Sequence, residues 1–211
     1  MHHVPVTAVS LAFEPWEFSP AYRVVPEPEF PGSGTWRDPL FCFDRSGALT
    51  SEPATRWGAP LTIEVHPVGS PAWVGSFASG GLGGISALSA CPSPPQLVVV
   101  ADGLAYLVEA GSPGDGATIL HDQMRQVVPV DTDLLLLVRV IDIVALGPDG
   151  WAWQTGRLAV DDLRVEHASK ERIICSCDLL DRDGLEIVLD PRTGAQTNGP
   201  RLDSFWPPDA L

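Results

Sequence analysis

The chain has very little positive charge. It holds 13 Lys and Arg residues against 27 Asp and Glu residues, which gives a formal net charge of −14 at pH 7, and Lys170 is the only lysine. A surface this negative repels phosphate groups, so the composition argues against binding to nucleic acid or to an anionic membrane. Two interpretations of the charge stay open: it keeps the protein in solution, or it attracts a basic partner.

A secretory signal and a long uncharged apolar run are also missing. Residues 1–5 are not followed by a basic segment and a clean apolar stretch. The longest apolar run, residues 134–146, contains Arg139 and Asp142, so it is too short and too charged to cross a bilayer. We therefore predict a soluble cytoplasmic protein with reduced cysteines. The cysteines are Cys42, Cys91, Cys175 and Cys177.

Charged helix-forming residues are scarce, whereas turn-forming residues are abundant. Charged residues make up only 19% of the chain, and 21 prolines and 20 glycines interrupt it. This composition favours short strands over long helices. We predict an all-β protein, built as one domain over residues 1–211 from antiparallel sheets or a sandwich, with a partial propeller-like array as the alternative. Residues 40–211 form the β-rich body.

The first 39 residues are expected to differ from that body. Six prolines lie within residues 13–39, among several aromatic side chains. Proline at this density prevents a helix or a central strand, but so many aromatic rings would not be left in water. We expect residues 1–39 to form an irregular segment that packs on the body. The aromatic residues in question are Trp16, Phe18, Tyr22, Phe30 and Trp36.

Turn residues between apolar runs predict β-hairpins. The clearest is Asp102-Gly103, which separates the runs 97–101 and 104–108 and is typical of a two-residue hairpin loop. Two further hairpins are predicted: 134–146 with 151–155 around the turn 147–150, and 172–177 with 185–190 around the turn 181–184. A turn at 191–194 follows, and short strands are predicted at 40–43 and 61–65, with a turn at 44–47.

The spacing of these turns resembles that of propeller blades. The turns at 149–150 and 192–194 lie about 40 residues apart, which is the length of one blade. A closed propeller needs at least four blades of four strands, and the proline-rich first third does not supply its share. An open arrangement of sheets is therefore preferred over a closed ring.

Several short motifs resemble those of a broad group of uncharacterised bacterial proteins from high-GC genomes. The motifs are Cys91-Pro92-Ser93-Pro94, residues 105–108, residues 145–147 with 150–153, residues 157–158 with 161–163, and residues 189–194. The resemblance covers roughly residues 75–199. It implies a mostly-β fold and implies no particular activity.

No catalytic residues are predicted. The sequence lacks a Gly-x-Ser-x-Gly nucleophile elbow, and no histidine lies near Cys91 in sequence. The glycine-rich loop 79–84, leading into a predicted short helix at 85–90, is a conceivable anion cradle. It lacks the lysine of a phosphate-binding loop and the spacing of a dinucleotide site, so a flexible connection is the simpler interpretation.

No metal or cofactor is predicted either. Cys175 and Cys177 share one face of a predicted strand, and His66, His121 or His167 are conceivable further zinc ligands. Their spacing does not require a metal, and buried cysteine is common in protein cores. Residues 181–186 resemble part of a calcium loop but lack its distant glutamate, so a hairpin turn explains them.

Four residues are candidates for binding a partner. Trp151 and Trp153 should share one face of a strand, where they are either core or an exposed anchor. Asp161 and Asp162 should face opposite ways, so they would not share a proton, and either a turn role or pairing with Arg157 is expected.

The functional prediction follows from the charge and from the missing catalytic groups. We expect a non-catalytic binding protein, of an accessory or immunity type, that recognises a basic protein partner. The alternative is an enzymatic or small-molecule-binding β domain with a pocket near the glycine-rich loop, His121 and the cysteines. A contiguous acidic face beside an exposed aromatic residue would support the first, and a deep cleft where those groups meet would support the second.

Overall fold

The strands of this chain form four sheets. The computed structural model describes residues 11–81, 83–179 and 182–202. Sheet I has the strand order β2-β5-β6-β3-β4 and sheet II the order β1-β7-β8-β9-β10, whereas sheets III and IV follow chain order as β11–β14 and β15–β18. The all-β prediction is confirmed.

The strands have the following bounds. Sheet I consists of β2 (Tyr22–Pro26), β3 (Leu40–Phe43), β4 (Leu49–Thr50), β5 (Leu61–Pro67) and β6 (Trp73–Phe77). Sheet II consists of β1 (Phe13–Glu14), β7 (Ala87–Ala90), β8 (Gln96–Ala101), β9 (Leu104–Glu109) and β10 (Thr118–His121), with a single 3₁₀ turn at Pro113–Asp115. Sheet III consists of β11 (Met124–Val130), β12 (Leu134–Arg139), β13 (Ile143–Gly147) and β14 (Gly150–Gln154). Sheet IV consists of β15 (Asp161–Ala168), β16 (Ile173–Leu179), β17 (Arg182–Leu189) and β18 (Gln196–Asn198).

The predicted hairpins are present. β8 and β9 pair around Asp102 and Gly103, whose φ angles of 46° and 85° are those of a turn that matches the twist of the strands. Two boundaries differ clearly from the prediction: the run 134–146 is two strands rather than one, and β17 begins at Arg182, inside the predicted turn 181–184. The chain reverses at residues 140–142, where the guanidinium of Arg139 pairs with the carboxylate of Asp142.

The proline-rich segment is less irregular than expected. Of residues 1–39 the structure describes 11–39, and this part contains β2, which lies at the edge of sheet I and pairs with β5. Proline excludes a central strand but tolerates an edge. The rings of Phe18 and Tyr22 are buried, as expected, whereas Phe30 is 65% exposed and packs edge-on against Trp36.

Three hydrophobic cores join the sheets in the order of the chain. One core lies between sheets I and II, the next between II and III, and the last between III and IV. Sheets II and III are therefore buried on both faces. In β8, Leu97 and Val99 face sheet I, whereas Val98 and Val100 face sheet III. Burial on both faces explains why these strands are continuous apolar runs.

Polar groups of large side chains tie neighbouring sheets together inside the cores. The indole N–H of Trp73 in sheet I donates to the carbonyl of Ala110 at 2.8 Å, and the hydroxyl of Tyr106 in sheet II donates to the carbonyl of Ala78 at 2.7 Å. Gln126 on β11 accepts a bond from the backbone N–H of Val165 on β15 at 2.8 Å. Each bond satisfies a buried backbone group and fixes how two sheets sit on each other.

The stack is open rather than closed. Among the described residues, no hydrophobic core joins sheet IV back to sheet I. The outer face of sheet IV is polar, and there the hydroxyl of Ser176 donates to the carboxylate of Glu166 at 2.6 Å. A polar outer face ends a stack in the way that capping repeats do. No helix in the part of the chain described is long and apolar enough to cross a membrane.

Gly75 leaves room for two buried aromatic rings in sheet I. A Cβ atom at this position would lie 2.6 Å from the ring of Phe77 and 2.8 Å from that of Trp73, and both rings are almost fully buried. We expect Gly75→Ala to lower the free energy of unfolding by about 1–3 kcal/mol through overpacking. The control is Gly156→Ala, where no atom lies within 4 Å, and it should stay within about 0.5 kcal/mol. Urea unfolding measures both, and equal losses would contradict this account of the packing.

Candidate functional site

The two candidate tryptophans do not share a face. Trp151 pairs with Leu146 and Trp153 with the adjacent Ala145, so β14 holds one extra residue, Ala152, at a β-bulge. A bulge turns the following side chains to the other face of the sheet. The prediction of a shared face is therefore wrong.

The bulge gives the two tryptophans different roles. Trp153 is 9% exposed, belongs to the core between sheets III and IV, and donates its indole N–H to the carbonyl of Pro191 at 2.9 Å. Trp151 is 49% exposed and lies on the opposite face. Trp153 therefore fixes sheet IV on sheet III, and Trp151 alone of the pair is accessible to a partner.

Asp161 and Asp162 are exposed residues at the start of β15, where the pairing with β16 is irregular. The carboxylate of Asp161 accepts a bond from the N–H of Asp162 at 2.8 Å, and Asp162 has a φ of 49°. The carboxylate of Asp162 pairs with Arg164 at 3.0 Å. The predicted turn role is not confirmed, because both residues belong to the strand β15. The alternative of pairing with Arg157 is wrong, because that side chain donates to the backbone carbonyls of residues 159 and 160.

The two aspartates line an open groove of about 330 Å³ at the start of β11 and β15. Arg125 and Arg164 line the same groove. Equal numbers of carboxylates and guanidinium groups make it a groove of mixed charge. Because its charges balance, this groove does not favour a basic partner over an acidic one.

The glycine-rich loop serves as packing rather than as an anion cradle. The expected helix at 85–90 is absent, and residues 87–90 instead form the strand β7, which pairs antiparallel with β8. The N–H of Gly81 donates to the carboxylate of Asp102 at 2.9 Å, and the N–H of Gly80 donates to the carbonyl of Ala101. A Cβ atom on Gly84 would lie 2.4 Å from the backbone of Gly103, so close approach requires glycine there.

All four cysteines are buried, and Cys42 on β3 and Cys91 in the core of sheets II and III lie apart from Cys175 and Cys177. Burial raises the pKa of Cys91 to about 11 and that of Cys175 to about 12, so neither is a thiolate at neutral pH. Cys175 and Cys177 share a face, as predicted, inside the core of sheets III and IV. Within the described ranges, no group of three His, Cys, Asp or Glu side chains could hold a metal ion. Asp181, part of the loop compared with a calcium site, lies outside the described residues.

His121 belongs to a polar cluster between sheets II and III. Its Nε2 atom lies 3.4 Å from a guanidinium nitrogen of Arg139 and 3.3 Å from the amide nitrogen of Gln154. Arg139 also donates to both carboxylate oxygens of Asp142, at 3.1 and 2.9 Å. Because burial and then Arg139 lower the pKa of His121, its imidazole is neutral and Nε2 accepts from both neighbours.

The alternative prediction placed His121, the glycine-rich loop and the cysteines around one pocket. The groove beside His121 does not bring these groups together. That open groove, of about 500 Å³, contains no cysteine and no residue of the loop 79–84. Its residues are Arg45, Leu104, Ile119, Leu120, His121, Asp122 and Arg139.

A second open groove of about 500 Å³ lies where three edge strands end. The strands are β1, β11 and β15, each at the edge of its own sheet. We call this feature the acidic groove. Its lining residues are Trp16, Glu17, Pro129, Asp131, Ala168, Ser169, Lys170 and Glu171.

Trp16 is held in place at the edge of the acidic groove. Its indole N–H donates to the hydroxyl of Ser89 at 2.9 Å, yet 39% of the residue remains exposed. Its φ of 50° is unusual for a bulky side chain and costs about 1 kcal/mol or more. Phe18, which is buried in the core between sheets II and III, anchors the turn that keeps this conformation. Trp16 therefore presents a fixed indole surface.

Carboxylates outnumber cations in the acidic groove. Glu17, Asp131 and Glu171 line it, against the single ammonium of Lys170. The ammonium nitrogen of Lys170 lies 3.0 Å from a carboxylate oxygen of Asp131 and 4.0 Å from one of Asp133. This pairing lowers the pKa of Asp131 and raises that of Lys170, so both stay charged at neutral pH. The groove keeps a negative excess.

None of the eight lining residues was among the candidates predicted from sequence. They come from three segments that are far apart in the chain, and their convergence depends on the packing of β11 against β15. A weak signal was available: the only lysine of the chain lies next to Glu171, and Trp16-Glu17 lies between prolines.

Comparisons with known proteins do not identify a family. No model of a known protein family matches the sequence, and no curated protein matches it. A solved structure, the crystal structure of the N-terminal domain of Nup159, is similar with a TM-score of 0.39 and 13% sequence identity. The alignment covers 92% of this chain and 54% of that one, so this chain spans about half its length. A similarity this low does not indicate what this chain binds.

The bulge in β14 can be tested with one substitution made at two positions. Trp153→Phe removes the indole N–H that satisfies the buried carbonyl of Pro191, so we expect it to lower the free energy of unfolding by about 1–3 kcal/mol. Trp151→Phe is the matched control and should change the free energy by less than about 0.5 kcal/mol, because that indole is half exposed. Urea unfolding followed by circular dichroism compares them. If Trp151→Phe is the more costly, the assignment of the two faces is wrong.

Proposed function

We propose that this chain is a non-catalytic binding protein that recognises a basic segment of a protein partner in the acidic groove. The observation that carries the proposal is a fixed, partly exposed indole, that of Trp16, beside three carboxylates where β1, β11 and β15 end. This arrangement supports the proposal because it offers both kinds of contact that arginine and lysine side chains use.

The first contact is with the indole surface. A guanidinium or ammonium group within about 6 Å of a tryptophan ring gains about 0.5–2 kcal/mol. Trp16 already has its final conformation, because its N–H is bonded to Ser89, so little side-chain entropy is lost on binding.

The second contact is with the carboxylates. Glu17 and Glu171 are exposed and line the groove, so each can accept charge-assisted hydrogen bonds from a bound cation. The net charge of −14 adds a field that draws basic partners toward the protein and speeds association at low salt.

The alternative site among the earlier candidates is less suited to a basic partner. Asp161 and Asp162 share their groove with two arginines, which would repel an incoming cation. Trp151 is accessible and would serve as a second contact if the partner extends along β14.

Titration with a hexa-arginine peptide tests the acidic groove. We expect Glu17→Gln and Glu171→Gln each to weaken binding by about 2–5-fold, as for exposed ion pairs, and Trp16→Ala to weaken it by about 5–30-fold. Isothermal titration calorimetry at low salt measures the dissociation constants. The matched control is Asp115→Asn, which removes the same charge from an exposed turn outside the groove. If this control weakens binding as much as Glu171→Gln, binding is diffuse and the proposal is wrong.

Lys170 should compete with the partner for the groove. The ammonium group of Lys170 is paired with the carboxylate of Asp131. Lys170→Gln should therefore free that carboxylate and tighten peptide binding by about 2–5-fold. The control is Arg172→Gln, which removes one positive charge from the same turn but outside the groove lining. The same calorimetric titration compares the two variants. Equal tightening would mean that the overall charge, rather than the occupied groove, controls affinity.

A further inference from the structure

Two arginines lie against one exposed tryptophan in the loops that connect the strands of sheet I. The guanidinium carbons of Arg45 and Arg56 lie 4.9 and 5.3 Å from the ring centre of Trp57, which is 50% exposed. Both distances are within the range of cation–π attraction. One indole thus contacts two guanidinium groups in a chain that has only twelve arginines.

Neither guanidinium is neutralised by a carboxylate. Within residues 11–81, 83–179 and 182–202, no carboxylate oxygen lies within 4 Å of the charged nitrogens of Arg45 or Arg56. The nearest acidic residue in sequence, Asp44, uses its carboxylate to accept bonds from Ser46 and Ala48. In a protein with a net charge of −14, two unpaired neighbouring arginines are a local exception.

The glycine-rich loop fixes the position of Trp57, which contacts both arginines. Gly81, with a φ of 70°, allows the backbone and Cβ of Trp57 to approach to 3.1 Å of where its own Cβ would be. Gly81 is itself fixed by the carboxylate of Asp102, which accepts its N–H. The glycine-rich loop therefore positions Trp57, and Trp57 in turn positions Arg45.

Arg45 forms one wall of the groove beside His121. Arg139 lies on this groove too, but Asp142 and Asp122 already accept its hydrogen bonds. Ile119, which is only partly buried, adds apolar surface between the polar groups, whereas Leu104 lies almost fully buried beneath the groove. The groove thus offers one unpaired guanidinium fork next to an apolar surface.

We propose that this groove binds a small planar organic anion, with its carboxylate or phosphate on the guanidinium of Arg45 and its apolar part against Ile119. A guanidinium presents two parallel N–H groups to two oxygens of such an anion. No carboxylate of the described residues pairs with Arg45, so its N–H groups are available for this contact. The site is independent of the acidic groove, because it lies at the opposite end of β11 and takes the opposite charge.

The test uses two probes of the same shape, benzoate and phenyl phosphate. Each is titrated into the protein while the indole N–H signals are followed by NMR, with Trp57→Phe used to assign the signal of Trp57. We expect a saturable shift of that signal with at least one probe. The probe with the lower dissociation constant shows whether the groove prefers a carboxylate or a phosphate. Absence of saturable binding by both probes at millimolar concentration overturns the proposal.

Variants locate the site. Arg45→Gln should weaken binding about tenfold, as expected for loss of hydrogen bonds to a charged group, and Arg45→Lys should restore only part of it. Arg23→Gln removes the same charge from an exposed position on β2 and should leave the affinity unchanged. An equal loss in Arg23→Gln would overturn the assignment to Arg45. Inorganic phosphate should bind more weakly than phenyl phosphate, and equal affinity would overturn the role of the apolar surface.

Discussion

Burial of both faces of the two middle sheets is the constraint on which the remaining structure depends. In β12, Leu135 and Leu137 pack on sheet II while Leu136 and Val138 pack on sheet IV, so successive residues serve different cores. Each buried side chain of this kind stabilises the fold by about 1.5–3 kcal/mol. Because the middle sheets are apolar on both sides, they hold four sheets in one stack. Strand ends and loops of neighbouring sheets then bring distant segments together to form the grooves.

Features that depend on neighbours in sequence were predictable, and features that depend on distant pairing were not. The turn Asp102-Gly103 dictates a hairpin locally, and β3 begins and ends at the predicted residues. The parallel pairings of β1 with β7 and of β3 with β6 join segments with no local signal. The bulge at Ala152 adds a single residue, which reverses the faces of the tryptophans although the local sequence alternates regularly.

The same division applies to the candidate sites. The sequence established the excess of acidic residues and singled out His121, because both can be read without knowing which residues are neighbours. The acidic groove combines residues 16–17, 129–131 and 168–171. The groove beside His121 combines that histidine with Arg45. These sets form only when edge strands and loops of different sheets meet, so spacing along the chain could not reveal them.

The linear order of the stack also bears on how the protein is made. Each sheet packs mainly on the one that precedes it in the chain, as in repeat proteins with nearest-neighbour coupling. During synthesis on the ribosome, each sheet can therefore dock on a completed surface as soon as it emerges, without waiting for a later segment to close a ring. Sheet IV comes last in the chain among the four sheets described, and because its outer face is polar, its docking on sheet III exposes no new apolar surface.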